Sequence, residues 1–316
     1  MKFFLNHQPK KLPFHISHDS KLFFIGSCFS EHIHSYAQQS GIHSYSNPFG
    51  NLFNPFSCCK TLDAILQNQP IDSSNFVERD SNWYSLNAHS KINATSASDL
   101  QTILTNTQLE ANRQLKSSNV LFITLGSAWY YHHIGLNKAV ANCQKLPQQN
   151  FQKKLAELDE ICSAFSNTIA LLKKNIPQLQ IVFTVSPVRH LRDGIEENFI
   201  SKSILRIAIE SICKTSSQCY YFSAYELIND DLKDYRFYEP DLAHPNKLAI
   251  SYVEEKFADT FFDAATTELA HLYQRKHALL QHQLLNATEN SALQHKAAVK
   301  KIQDLIDQKR NEYAKN

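Results

Sequence analysis

The chain has 316 residues, 43% of them hydrophobic, and a formal net charge of only +2 from 32 basic and 30 acidic side chains. Its length suits one large domain with an appendage or two small domains, and the apolar content is ample for a core. Such a small charge predicts neither a nucleic-acid partner nor a membrane-surface partner. No apolar stretch approaches the ~20 residues of a membrane span, and the run at 3–5 is too short for a secretory signal.

The cysteines and histidines bear on compartment and metal binding. The 7 cysteines are odd in number and lack a metal-ligand spacing, so we expect reduced thiols and a cytoplasmic location. The pairs His32/His34 and His132/His133 are also poor ligand sets, because positions one or two apart on a helix do not face each other. We therefore expect no metal and mostly exposed histidines.

Short apolar runs alternate with helical patterns along the first 262 residues. Continuous apolar runs typical of strands buried in a parallel sheet occur at 22–25, 120–125, 181–185 and 219–222. Helices are predicted at 28–40, 97–116, 151–174 and 203–214, and from Pro245 to Phe262. The alternation predicts an α/β fold built on a three-layer, doubly wound parallel sheet.

Two segments interrupt this pattern. The sequence of residues 72–96 predicts an irregular or hairpin insertion. We expect it to face the carboxyl edge of the sheet, where ligands bind in such folds. Beyond about Ala265, leucines and isoleucines recur at helical spacing, with a break at 286–291; they are Leu269, Leu272, Leu279, Leu280, Leu284, Ile302, Leu305 and Ile306. Residues 265–316 are therefore expected to form a helical extension to residues 1–264, as a hairpin or as a contact between copies of the chain.

Gly26 and Ser27 follow the first apolar run and precede the first helix. A sharp strand-to-helix turn would place the Ser27 hydroxyl in an open position at a helix N-terminus, where N–H groups and the helix dipole stabilise an anion. A structural turn is the alternative. Cys28 is a second candidate nucleophile, which we favour less than Ser27. The alternative role for Cys28 is that of a small, buried, apolar side chain.

Near the other end of the chain stands an Asp-x-x-His segment, Asp241 to His244. With this spacing on one turn, the carboxylate can accept the imidazole Nδ1–H and leave Nε2 free to take a serine proton. The alternatives are a turn aspartate and a histidine packed under Pro245. Glycine is scarce, with 6 in the chain, so Gly50 and Gly126 are expected where a side chain does not fit.

Segment 26–30, Gly-Ser-Cys-Phe-Ser, resembles the signature of the GSCFA family, a branch of the SGNH hydrolases (the GDSL esterase and lipase superfamily), whose last position is more usually alanine. Segments 185–194 and 198–203 are also similar to that family, so the resemblance spans roughly the first 260 residues. It implies that Ser27 is the nucleophile of a Ser-His-Asp triad with His244 and Asp241. It also implies that the amides of Ser27 and Gly50 form an oxyanion hole.

One family feature is missing. SGNH hydrolases usually carry an asparagine donor in their third block, which here reads Gly126-Ser127 and contains none. Ser127 or the Asn51 amide are the candidate substitutes. An ordinary left-handed turn is the alternative role for Gly50.

The resemblance implies a serine ester hydrolase without a cofactor that removes a small acyl group, with acetylated carbohydrate as the leading substrate. Candidate substrate-binding residues, each with ordinary packing or structural hydrogen bonding as its alternative, are Trp83, His89, Ser90, Trp129, Arg189 and His190. Two other classes stay open: an O-acyltransferase that uses the same triad, and a non-catalytic carbohydrate-binding or scaffold protein.

Overall fold

The computed structural model describes residues 5–282 and 289–313. The strands are, in chain order, β1 (Lys21–Gly26), β2 (His43–Ser46), β3 (Phe76–Arg79), β4 (Asn82–Ser85), β5 (Asn93–Ala94), β6 (Val120–Leu125), β7 (Trp129–His133), β8 (Lys138–Val140), β9 (Phe151–Leu155), β10 (Gln180–Val185) and β11 (Cys219–Tyr221). The helices are α1 (Phe29–Gln39), α2 (Pro55–Gln67), α3 (Ala97–Lys116), α4 (Leu158–Asn175), α5 (Ile195–Thr215), the single turn α6 (Ala224–Glu226), α7 (Lys247–Phe261), α8 (Ala264–Gln281) and α9 (Glu289–Tyr313).

Five strands form a parallel sheet in the order β11, β10, β6, β1, β2. The chain first adds β2 on one side of β1 and then returns to place β6 on the other side. The direction of winding therefore reverses between β1 and β6, and ligands bind at such a switch point, outside the carboxyl ends of the strands. The predicted doubly wound α/β fold is confirmed.

The two central strands are apolar because helices cover both faces of the sheet. Along β1, Phe23 and Ile25 enter the core shared with α2, α3, α4 and α5, whereas Leu22 and Phe24 enter the core shared with α1 and α7. Every residue of β6 is buried. This two-sided burial explains why the strands appear in the sequence as continuous apolar runs.

Side-chain caps set where the helices next to the carboxyl edge begin. Asn54 caps α2 by accepting the Ser57 N–H, and Asn246 caps α7 by accepting the Ala249 N–H. Both residues are among the preferred N-caps, which satisfy amide groups that have no partner within the helix. Consequently α2 starts just after the turn that contains Gly50, and α7 starts just after the Asp-x-x-His segment.

Some predicted elements differ from the structure. The helix predicted at 151–174 begins only at Leu158, because Phe151–Leu155 forms strand β9. This strand pairs antiparallel with β7, which also pairs with β8 in a sheet that the sequence did not predict. Helix α5 begins earlier than predicted, at Ile195. The 72–96 insertion is an antiparallel sheet of β3, β4 and β5, as expected for a hairpin insertion.

The C-terminal extension contains two helices, α8 and α9, which pack through Leu269, Ile302 and Ile306. Leu284 and residues 286–288 of the predicted break lie outside the described residues. Helix α8 packs against the C-terminal end of α1, the end remote from the β1–α1 turn. There the Tyr273 ring fills the space in which a Cβ of Gly41 would lie, 2.5 Å from Tyr273 Cγ. No helix in the two described stretches has the length and apolarity needed to cross a membrane.

Candidate active site

The β1–α1 turn is tight and is held against β6. Gly26 has a φ of +132°, and a Cβ there would overlap Thr124 O and lie 2.8 Å from Thr124 C. Only glycine fits this position without a shift of the β6 backbone. The Gly26 N–H also donates to Asn47 Oδ1 at 2.9 Å. Residues 27 and 28 are therefore fixed at the carboxyl edge of the sheet, beside the switch point.

Ser27 is buried rather than open, in contrast to the predicted open turn. It is 1% exposed, and its Oγ accepts the Phe29 N–H at 3.3 Å. Its own N–H donates to Thr124 O at 3.0 Å. The reason is that pairing with β6 continues one residue past Gly26, which turns the side chain inward. In this conformation the Ser27 amide is occupied and does not point to a substrate oxygen.

Cys28 is the residue of this turn that solvent reaches. It is half-buried at the N-cap position of α1, and its side chain makes no capping hydrogen bond. Among the described residues its amide donates to no other residue and interacts with the thiol of Cys28 itself. Burial raises the pKa of the Cys28 thiol and Glu31 raises it further, whereas the backbone N–H groups of Cys28 and Phe29 and the Lys202 charge lower it. The thiol is thus protonated at neutral pH and needs a base to become nucleophilic.

Asp241 and His244 are in direct contact. Asp241 Oδ2 lies 2.6 Å from His244 Nδ1, and Asp241 Oδ1 accepts the N–H groups of His244 and Ala243 at 3.0 and 2.9 Å. These hydrogen bonds, the one from the His244 N–H most strongly, lower the pKa of Asp241 to about 2. The carboxylate therefore stays charged at neutral pH, and Nε2 of His244 has no hydrogen-bond partner among the described residues.

The Asp241–His244 pair lies near the start of α1. No hydrogen bond joins His244 to Ser27 or Cys28 in the described ranges, and the side chains of His244 and Asp241 are each 51% exposed. Desolvation lowers the pKa of His32, on the first turns of α1, and the nearby His244 lowers it further. His244 thus has a half-exposed side chain and lies within electrostatic range of the start of α1.

Gly50 lies in a turn after β2 with a φ of +77°. Its N–H donates to Asn47 O at 2.8 Å, so this predicted oxyanion donor is also occupied. His89 of the insertion packs directly on Gly50, where a Cβ would overlap His89 Cβ. Asn51 Oδ1 accepts Asn47 Nδ2 at 3.0 Å, which leaves the Asn51 side-chain N–H groups without a partner in the described residues. The insertion therefore reaches the site through His89.

The third block, after β6, is also hydrogen-bonded to other residues of the protein. Ser127 is buried, its Oγ lies 3.3 Å from Ser201 Oγ, and it accepts the Trp129 N–H at 3.0 Å. It is therefore poorly placed as a substitute oxyanion donor. Gly126 is different, because a Cβ there would lie 3.3 Å from His190 Nε2. His190 is thus the side chain that closes over the third block.

His190 follows β10 and is held in place by its backbone. Its N–H donates to Asn198 Oδ1 at 2.9 Å, and its ring packs edge-on against Phe53 with centroids 5.7 Å apart. Burial lowers the pKa of His190 to about 4, and the Lys202 charge acts in the same direction. The imidazole is neutral at pH 7 and still carries one N–H donor. No described residue forms a hydrogen bond with its ring nitrogens.

Lys202 is a functional candidate that the sequence analysis did not single out as a site residue. It is 2% exposed, and its Nζ donates to Gly126 O at 2.6 Å and to Ser186 O at 2.8 Å. Burial lowers the pKa of this lysine to about 7. It ties together the carboxyl ends of β6 and β10 beneath the site. A lysine among the core-facing residues of α5 is the signal that could have identified it.

The other predicted substrate-binding residues make contacts away from the β1–α1 turn. Trp83 pairs with Ala94 across β4 and β5 and packs on the core. The Ser90 carbonyl accepts Asn93 Nδ2. The Trp129 ring lies 4.6 Å from Lys153 Nζ. Arg189, in contrast, contacts the Asp-x-x-His segment. No cluster of three or more metal-binding side chains occurs in residues 5–282 and 289–313.

The β1–α1 turn thus lies at the switch point of a doubly wound sheet, and the Asp241–His244 pair lies near the start of α1. Residues 21–257 match the GSCFA family, and the chain belongs to this family. None of the curated proteins compared with the chain matches it.

Similar solved structures are distant in sequence. They include an acetyl xylan esterase from the rumen bacterium Butyrivibrio proteoclasticus (12% identity, TM-score 0.38, 79% of this chain and 64% of that chain). A family two carbohydrate esterase from Clostridium thermocellum in complex with cellohexaose is 13% identical (TM-score 0.36, coverage 83% and 67%). A carbohydrate esterase of family 3 from Talaromyces cellulolyticus is 6% identical (TM-score 0.37, coverage 81% and 99%). The chain spans 64% of the length of the acetyl xylan esterase, and likenesses at this level assign no activity to it.

Proposed function

We propose that this GSCFA-family protein is an ester hydrolase that removes a small acyl group from an O-acylated substrate. The observation that carries the proposal is the 2.6 Å contact between Asp241 and His244, which leaves Nε2 of the imidazole unpaired beside the switch point. In such a pair the carboxylate fixes the tautomer and stabilises the imidazolium that forms when Nε2 takes a proton.

Ser27 is the nucleophile in this proposal. Its Oγ attacks the acyl carbon while its proton passes to His244 Nε2, and the departing alcohol then takes that proton. Water, deprotonated by the same imidazole, releases the acyl group as a carboxylic acid. Because Ser27 is 1% exposed, attack in this proposal includes a side-chain rotation towards the substrate, which breaks the hydrogen bond from the Phe29 N–H at a cost of about 1 kcal/mol.

Cys28 is the second candidate for the same role, and two features of its surroundings support it. Its side chain is half-buried rather than buried. Its amide donates to no other described residue and can turn to the oxyanion that its own attack creates, whereas the Ser27 amide is bonded to Thr124 O. The sequence of proton transfers is unchanged, and the intermediate is a thioester in place of an ester.

His190 is the proposed replacement for the missing third-block asparagine. It closes over Gly126, its ring nitrogens are unpartnered in the described chain, and it is neutral because burial lowers its pKa to about 4. A neutral imidazole can donate a hydrogen bond to a developing oxyanion without a prior loss of charge. One such donor typically contributes about 10²–10³ in kcat.

Acetylated carbohydrate is the proposed substrate class, as the family resemblance implies. An acyltransferase would form the same acyl-enzyme and pass the acyl group to an acceptor hydroxyl instead of water. Product analysis with and without an added sugar acceptor separates these reactions. A scaffold protein would form no acyl-enzyme at all.

The test is hydrolysis of p-nitrophenyl acetate and of an acetylated oligosaccharide by wild type and by Ser27→Ala, Cys28→Ala and His244→Ala. We expect His244→Ala and one of the two turn variants to lose about 10³-fold or more in kcat/KM. His271→Ala is the matched control, because this histidine is exposed on α8. Wild-type protein that hydrolyses no ester, or a fully active His244→Ala variant, would contradict the proposal.

A further inference from the structure

The loop that carries His244 is closed on itself. The Glu239 N–H donates to His244 O at 2.8 Å, and the Leu242 N–H donates to Glu239 O at 2.9 Å. At its base, Tyr238 and Pro245 form an isolated antiparallel bridge. Leu242 has a φ of +56°, a left-handed conformation that is disfavoured for residues other than glycine, asparagine and aspartate. The loop therefore needs contacts from outside to hold this shape.

Arg189 supplies those contacts. Its backbone N–H donates to Ala243 O at 3.0 Å, and its side-chain Nη1 donates to Leu242 O at 3.4 Å. Among the described residues, every other hydrogen bond of residues 241–244 is made within residues 239–244. Within the described chain, Arg189 thus makes all the hydrogen bonds that tie residues 241–244 to residues outside 239–244.

The guanidinium of Arg189 is itself held by two aromatic rings. Its central carbon lies 4.1 Å from the Tyr238 ring centroid and 5.3 Å from that of Tyr235. Stacking of a planar guanidinium on aromatic faces is favourable, and lysine does not reproduce it. Tyr238 also belongs to the bridge at the base of the loop. Arg189 therefore connects the base of the loop to its tip.

We propose that Arg189 is a positioning residue that holds residues 239–244 in the conformation in which Asp241 orients His244, and that it does not bind substrate. The proposal rests on the proposed function, in which His244 is the general base. It replaces the substrate-binding role predicted for Arg189 from the sequence. The half-exposed Asp241 and His244 side chains depend on this connection because no apolar core holds them.

The first test needs no substrate. Hydrogen–deuterium exchange of the full-length protein is followed in peptides that cover residues 235–246, for wild type, Arg189→Gln and Arg189→Lys. We expect amides of the loop to exchange about tenfold faster in Arg189→Gln, with β6 unchanged, and Arg189→Lys to restore little of the protection. Arg236→Gln is the matched control, because the exposed Arg236 lies on the same segment and its side chain contacts Asp234 and the Phe237 ring, not residues 239–244, in the described chain. Unchanged exchange in Arg189→Gln would overturn the proposal.

The second test separates positioning from substrate binding. We expect Arg189→Gln to lower kcat about 10- to 100-fold, with KM within about twofold of wild type. A higher KM with unchanged kcat and unchanged exchange would show instead that Arg189 binds substrate. If wild type proves inactive towards every ester, the proposed function fails, and the exchange experiment still decides whether Arg189 orders the loop.

Discussion

Replacement of Gly26 by alanine tests whether the β1–α1 turn is built as described. The added Cβ would overlap Thr124 O and lie 2.8 and 2.9 Å from Thr124 C and N. All three atoms belong to the backbone of β6, so no side-chain rotation can relieve the contact. The φ of +132° adds strain of its own, because residues with a Cβ rarely adopt it.

The steric overlap with Thr124 and the backbone strain each lower the free energy of unfolding by a large fraction of a domain's total stability. Backbone strain of this kind costs about 1–3 kcal/mol, and overpacking in a close-packed interior costs about another 1–3 kcal/mol. The expected loss of about 2–6 kcal/mol is a large share of the roughly 5–15 kcal/mol that stabilises a typical domain. We therefore expect Gly26→Ala to unfold at much lower denaturant concentration or to be recovered mainly as insoluble protein.

Urea unfolding followed by circular dichroism measures this loss. Gly135→Ala is the matched control, because the nearest atom to a Cβ there is a ring carbon of His133 at 3.5 Å. The control is expected to stay within about 0.5 kcal/mol of wild type. A Gly26→Ala protein whose unfolding free energy lies within about 1 kcal/mol of wild type would refute this account of the turn.

Three further predictions concern pH, the extension and metal. Burial lowers the folded-state pKa of His190 to about 4, below the unfolded value of about 6.5, so the unfolded state binds more protons between these values. The free energy of unfolding should therefore fall as pH drops through this window. Between pH 7 and pH 4.5 the decrease should be smaller for His190→Phe than for wild type. An equal decrease in the two proteins would contradict the prediction. Deletion of residues 265–316 should preserve ester hydrolysis, because α8 packs against the C-terminal end of α1, remote from the β1–α1 turn. The same deletion should lower the melting temperature, since this packing is lost. Loss of activity in a folded, truncated protein would place the extension at the site. EDTA should not change the hydrolysis rate, since the proposed chemistry uses only side chains, and an inhibition that zinc reverses would oppose it.

The parts of the fold that sequence predicts are those in which local pattern and tertiary environment agree. β1 and β6 are buried on both faces, so their apolar runs identify them directly. The contact between Asp241 and His244 is also local, since three residues on one turn bring the carboxylate to the imidazole. Strands such as β9, which carry lysines and only partly buried side chains, resemble a polar helix in sequence.

The inward rotation of Ser27 could not be predicted from its neighbours in the chain. It depends on the hydrogen bond of its amide to Thr124 O on another strand. The role of Lys202 likewise depends on two carbonyl groups, at Gly126 and Ser186, which come together only in the folded sheet. Each of these features arises from long-range contacts, which carry no periodic signal in the sequence.

The most direct test of the central claim is to identify the acylated residue. Wild-type protein and His244→Ala are mixed with p-nitrophenyl acetate, quenched in acid and mapped by peptide mass spectrometry. We expect one acetyl group on Ser27 or Cys28 in wild type and none at either residue in His244→Ala. Neutral hydroxylamine should remove the group readily from the thiol but not from the hydroxyl. Turnover with acetyl groups found only elsewhere, or equal labelling of the turn without His244, would contradict the central claim.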